Sequence, residues 1–148
     1  MNEVLLKILK THSGVTLPQY ESDGASGMDI RAFTDNDILI KPLARIKIPT
    51  GLRLEIPQGY EAQVRPRSGL AIKQGITVLN SPGTIDCDYR GDLDVILINL
   101  SDSDVTIKNG DRIAQLVIAP VIRVNITEVK ELTQSQRGCG GFGSTGVR

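Results

Sequence analysis

The sequence predicts an all-β fold, a sandwich or barrel of short strands, on three observations. Apolar residues alternate with polar ones over much of the chain: Ile38 and Ile40, Ile46 and Ile48, Leu52, Leu54 and Ile56, Ala62 and Val64. That period of two turns one face of each segment toward a core. Pro42, Pro49 and Pro57, with Gly51 and Gly59, punctuate the runs at the short intervals that strand ends and turns require. No window sustains the period of an amphipathic helix.

Taken in order, Val4 to Leu9 is short and apolar and reads as a strand, followed by His12 in a polar turn with no assigned role. Glu21 to Gly27 is a small-residue loop. Met28 to Phe33 alternates as a half-buried strand, which puts Asp29 and Arg31 on one polar face. That face is either simply solvated or holds a buried acid tied to a cation near a ligand. After the strands between Ile38 and Val64, the chain breaks at Pro66, and Leu70 to Gln74 is compatible with one or two helical turns. Arg67, Ser68 and the amides at Gly69 form either an ordinary turn or an anion site. Ile76 to Leu79 and Leu93 to Ile98 are β-branched runs joined by a Gly- and Asp-bearing connection, a β-hairpin or paired-strand excursion. Val105 to Lys108 is a strand, and Asn109-Gly110-Asp111 a tight turn. Arg112 to Ile118 is a strand interrupted by Gln115, whose amide bonds either a neighbouring backbone or a ligand oxygen. Val121 to Val129 is the last expected strand.

The composition narrows the function. At 148 residues the chain is long enough for one real core. The expected division is a β domain over 1–132 and a mobile tail over 133–148. Seventeen basic and seventeen acidic side chains cancel, so there is no broad basic surface for a nucleic-acid backbone. One histidine supports neither a zinc site nor a histidine-based nucleophile. Cys87 and Cys139 lack metal-ligand spacing and read as reduced thiols. No apolar stretch suits a bilayer and the N-terminus lacks a signal-peptide pattern, so the expected location is cytoplasmic, without membrane partners.

Two segments carry more chemistry than their structure needs. Gly83 to Asp92 puts three carboxylates, Asp86, Asp88 and Asp92, beside Tyr89 and Arg90 after the turn-forming Ser81-Pro82-Gly83. A carboxylate there can orient water, and a ring can pack on a flat ligand. The tail from Arg137 to Gly146 holds five glycines, Arg137, Ser144, Thr145 and Phe142, one of only two phenylalanines in the chain. It is either a disordered end or a lid that orders over an anionic ligand.

Five segments occur in order: Ser26-Gly27-Met28-Asp29; Pro66-Arg67-Ser68-Gly69-Leu70-Ala71; Asn80-Ser81-Pro82-Gly83-Thr84-Ile85-Asp86 through Tyr89-Arg90-Gly91; Gly110-Asp111-Arg112-Ile113-Ala114-Gln115; and Arg137 through Gly146. Together they resemble the five motifs of the trimeric deoxyuridine triphosphatases (dUTPases), across nearly the whole chain. The resemblance implies a jelly-roll-like distorted barrel of the β-clip type with at most one short helix. It implies a homotrimer with shared active sites that hydrolyses dUTP to dUMP and pyrophosphate with Mg²⁺ on the triphosphate. Such an activity keeps uracil out of DNA and supplies dUMP for thymidylate synthesis.

By the same resemblance Asp86 is the catalytic acid that activates water. The backbone of Thr84, Ile85 and Asp86 reads uracil, Tyr89 packs on the deoxyribose, and Asn80 contacts sugar or base. Arg67, Ser68, Gly69 and Gln115 hold phosphates. Arg137, Ser144 and Thr145 reach the terminal phosphate while Phe142 covers the base, and Gly143 is a further substrate-binding residue. No residue is expected to ligate the metal directly, with Asp29 organising metal-bound water or an arginine. Asp88 ranks below Asp86, because a strand-like backbone would point it to the opposite face. The rivals are a deoxycytidine triphosphate deaminase on a similar fold and a non-enzymatic nucleotide sensor or β-sandwich assembly protein.

Overall fold

The computed structural model describes residues 3–143. Ten strands and one helix follow in the order β1 (Lys7–Lys10), β2 (Met28–Arg31), β3 (Ile38–Ile40), β4 (Arg45–Glu55), β5 (Tyr60–Arg65), α1 (Ser68–Gln74), β6 (Ile76–Val78), β7 (Gly83–Ile85), β8 (Asp92–Asn99), β9 (Val105–Ile107) and β10 (Arg112–Pro120). They form two four-stranded sheets, β1-β4-β8-β6 and β2-β10-β5-β7, and a two-stranded one, β3-β9. Every ladder is antiparallel. This is the distorted jelly-roll barrel expected, with a single short helix.

The alternation explains the layering. Along β8, Leu93, Val95, Leu97 and Asn99 are buried while the residues between them face outward, and β4 repeats the pattern with Ile48, Thr50, Leu52 and Leu54. Ile30, Ala62, Val64, Ala114 and Leu116 close the core from the second sheet. Among the described residues the one fully buried side-chain amide, Asn99, is completely satisfied. Asn99 donates to the carbonyls of Ile40 (2.9 Å) and Ser103 (2.8 Å) and accepts from the Ser101 amide (2.9 Å) and hydroxyl (2.7 Å). It thereby ties β8 to β3 and to the following loop, where an unpaired buried amide would be strongly destabilising.

The connection between β6 and β8 is the excursion expected. Ile76 pairs with Asn99 and Val78 with Leu97 at its base, and its outer part crosses to the other sheet, where β7 pairs with β5. The Asn109–Asp111 turn also forms, with Gly110 at φ 84° and the Asp111 amide donating to Lys108 (3.1 Å). It links strands of different sheets, so it is no hairpin.

Three expectations need correction. The first strand begins at Lys7, not Val4. Asp88 lies on a turn, not a strand-like backbone: the Tyr89 amide donates to the Asp86 carbonyl at 3.1 Å, which closes four residues on themselves. Most consequential is the segment from Val121 to Val129, which joins no sheet here. β10 ends at Pro120, and Ile122, Val124 and Ile126 are 88%, 74% and 92% exposed. The alternation is present, but beyond the Val121 amide, which donates to the Gly59 carbonyl (2.9 Å), no strand among the described residues pairs with it.

Candidate active site

One cluster forms where β2, β10 and the start of α1 meet. Asp29 and Gln115 are register partners across β2 and β10. Arg67, at the N-cap of α1, extends its Nε to Asp29 Oδ1 (2.9 Å), and Arg112 reaches Oδ2 (3.2 Å). The acid is 14% exposed, so this pair is shielded more than an ordinary surface bridge. Of the two readings of that strand face, the tied acid is the one found. Its partners are Arg67 and Arg112, whereas Arg31 donates to the Gly110 carbonyl (2.9 Å). Asp29 thus fixes two guanidinium groups that otherwise repel each other. Gln115 donates to the Pro66 carbonyl (3.0 Å), holding the turn that precedes Ser68 and Gly69. A Cβ on Gly27 would overlap Gln115 Oε1, so only glycine leaves that amide in place. Ser68 and Gly69 are exposed in the first helical turn.

The second cluster is the crossing loop. Thr84, Ile85, Asp86 and Tyr89, with Lys47, Asp92, Asp94 and Ile96, line a cleft of about 280 Å³. β7 is the last strand of its sheet, so one side of its backbone has no ladder partner. Those free amides and carbonyls can read the polar edge of a flat ligand. Asp86 is exposed on the cleft. Tyr89 donates its hydroxyl to the Asp92 carbonyl (3.0 Å), and Arg90 donates to the carbonyls of Cys87 (2.7 Å) and Tyr89 (3.0 Å). Asn80 is exposed at the foot of the loop, its amide nitrogen 3.3 Å from where a Gly83 Cβ would lie. A larger groove of about 650 Å³ along Thr11, His12, Phe33 and Arg53 shares only Asp92 and Asp94 with this cleft and holds none of the expected site residues. His12 stacks there on Phe33, ring centroids 5.1 Å apart.

The described part of the tail makes no hydrogen bond to either cluster. Arg137 donates to the Gly140 carbonyl (2.7 Å) in a local turn, and Phe142 is fully exposed. Ser144 and Thr145 lie outside the described residues.

Three residues beside the two clusters, Lys47, Arg53 and Asp94, were not anticipated from the sequence, and one of them binds the loop carboxylate Asp92. Lys47 pairs with Asp94 (2.8 Å) and Arg53 with Asp92 (2.6 Å). A hydrogen bond and the nearby carboxylate raise the pKa of each cation, Asp94 acting on Lys47 and Asp92 on Arg53. Arg53 and Asp92 are opposed in the β4–β8 register. That register, not local composition, is the signal, and only the fold displays it.

The two clusters do not meet within one chain. Asp29 pairs with Gln115, and Ile85 lies in the row of Ala62 and Ile118. Three strand spacings across and three residues along place Asp29 roughly 17 Å from the start of the loop acid's turn.

A family model for dUTPase matches residues 13–146. The chain is 55% identical over 143 residues to the deoxyuridine 5′-triphosphate nucleotidohydrolase of Hydrogenobaculum sp., covering 97% of this chain and 99% of that protein. It is 60% identical over 133 residues to the protein of that name from Desulfotalea psychrophila, covering 90% and 89%. Among solved structures it is similar to the dUTPase of Staphylococcus bacteriophage 80alpha with dUPNHPP, with TM-score 0.88, 26% identity, and 97% and 99% of the two chains covered.

Proposed function

The chain belongs to the dUTPase family, and on that premise we propose how it hydrolyses dUTP to dUMP and pyrophosphate. The observation that carries the mechanism is an exposed carboxylate, Asp86, at the end of an edge strand whose backbone has a free side. Uracil is held by the backbone of Thr84 to Asp86. Cytosine would present an amino donor where uracil presents a carbonyl, leaving a buried group unpaired, a mismatch worth roughly 10⁴-fold. Thymine is refused by the bulk of its methyl group. Tyr89 packs on the deoxyribose, and Asn80 contacts sugar or base.

Asp86 orients a water toward the α-phosphorus and accepts its proton as the new bond forms. The bond to the bridging oxygen breaks and pyrophosphate leaves. No histidine lines the cleft, so a carboxylate is the available base. Arg67, Ser68, Gly69 and Gln115 bind the phosphates, with Arg67 and Arg112 aligned by Asp29. From the tail, Arg137, Gly143, Ser144 and Thr145 close on the terminal phosphate and Phe142 on the base.

Magnesium bound to the triphosphate would supply charge neutralisation and alignment for in-line displacement. The donor set suits that role through water. Both Asp29 oxygens face arginines, and among the described residues no group of three acidic, histidine or cysteine side chains converges.

The base-reading loop and the phosphate cluster are too far apart in one chain to grip adjacent parts of one substrate. A homotrimer that joins one chain's loop to its neighbour's cluster resolves this. The uncovered apolar row from Ile122 to Ile126 is a ready contact between copies. Ile122→Lys with Ile126→Lys leaves the isolated chain's core untouched. It is expected to shift sedimentation from trimer to monomer and to lower activity more than tenfold at nanomolar protein. A fully active monomer would refute shared sites.

The activity itself is tested by pyrophosphate release across dUTP, dCTP, dTTP, dATP and dGTP. Release from dUTP alone is expected. Ammonia from dCTP would indicate the deaminase instead.

A further inference from the structure

We infer that Gly91 is a specificity-determining position, which sets discrimination against a 2′-hydroxyl by fixing the plane of the Tyr89 ring. This rests on the reading of Tyr89 as the wall against the deoxyribose. A Cβ built on Gly91 would lie 2.5 Å from Tyr89 Cζ, 2.9 Å from Cε2 and closer still to the hydroxyl oxygen. The ring therefore lies directly on the Gly91 backbone. Gly91 does not adopt a positive φ, unlike Gly51, Gly59, Gly75 and Gly110. Its backbone is therefore not in the left-handed region that favours glycine, and what a side chain there would meet is the ring above it.

The Tyr89 backbone and the tip of its ring are each tied down. The Tyr89 amide donates to the Asp86 carbonyl, and its hydroxyl to the Asp92 carbonyl (3.0 Å). Asp92 is anchored in turn by Arg53 (2.6 Å). A methyl group at position 91 forces the ring off this seat, breaks its tie to Asp92 and opens space at the sugar. Because the turn holding Asp86 precedes this contact, the acid stays in place. Gly91 thus acts as a positioning residue through Tyr89.

The test compares kcat/KM for dUTP and UTP in the full chain for wild type, Gly91→Ala, Tyr89→Ala and the double variant. The ratio of the two substrates within one preparation is independent of the active fraction. Gly91→Ala is expected to lower the preference for dUTP about tenfold or more, chiefly through KM for UTP. Tyr89→Ala should lower it at least as far, and adding Gly91→Ala to it should change nothing further. If Tyr89→Ala relaxes the preference and Gly91→Ala does not, the inference about Gly91 fails and the reading of Tyr89 stands. An unchanged preference in Tyr89→Ala removes that reading itself. Should Gly91→Ala not fold, a folded double variant identifies the ring as the obstacle. An unfolded double variant assigns Gly91 a backbone role and overturns the inference.

Discussion

Asp86→Asn is expected to bind dUTP nearly as well as the parent chain and to turn it over at least ~10²-fold more slowly. The amide matches the carboxylate in size, so the turn closed by the Asp86 carbonyl and the Tyr89 amide is preserved, as is the edge of β7. What is lost is the ability to accept a proton from water. Single-turnover pyrophosphate release, alongside titration with a non-hydrolysable dUTP analogue, separates the two effects. Unchanged turnover would remove Asp86 from the chemistry. Unchanged turnover with weakened binding would make it a base-reading group only. Asp86→Glu is a useful companion, since it keeps the base and moves it outward by one methylene.

Removal of residues 137–148 is expected to leave fold, thermal midpoint and the proposed trimer intact and to abolish most hydrolysis, by roughly 10²-fold or more, as closure elements can. None of the described residues beyond Gln136 joins a sheet or belongs to the buried core, so the barrel has little to lose. The Phe142 ring is fully exposed and the Arg137 guanidinium bonds the Gly140 carbonyl, so their contribution arises only once a nucleotide is present. Circular dichroism and sedimentation check the first half of this expectation, and kcat/KM for dUTP the second. A truncated chain with full activity would show that the tail has no part in the reaction.

The strands were legible because a half-buried strand imprints its period of two on composition. Leu52-Arg53-Leu54-Glu55-Ile56 could be read as one directly. Register was not legible, since it is decided by pairings between distant segments. The Arg53–Asp92 and Lys47–Asp94 pairs join residues far apart in the chain and surfaced only with the β4–β8 ladder. The Val121–Val129 stretch shows the opposite limit. Its alternation was correctly seen, but a strand is defined by a neighbour, and none pairs with it among the described residues. Asp29 was readable as an acid tied to a cation, though not which cation, because Arg67 and Arg112 approach it from separate elements. Gly91 was least legible of all. A glycine in a loop suggests backbone freedom, whereas here the reason is the ring resting on it.

The self-bonded loop has a thermodynamic consequence. Asp86 to Asp92 is held by its own hydrogen bonds and by Arg90 before any nucleotide arrives. Conformational entropy there is already lost on folding, at about 1–2 kcal/mol per residue. Association with the base therefore resembles a key meeting a finished lock, and the unfavourable entropy of complex formation should originate almost wholly in the glycine-rich end. Calorimetry of deoxyuridine alone should accordingly show little ordering penalty, and the full triphosphate a large one.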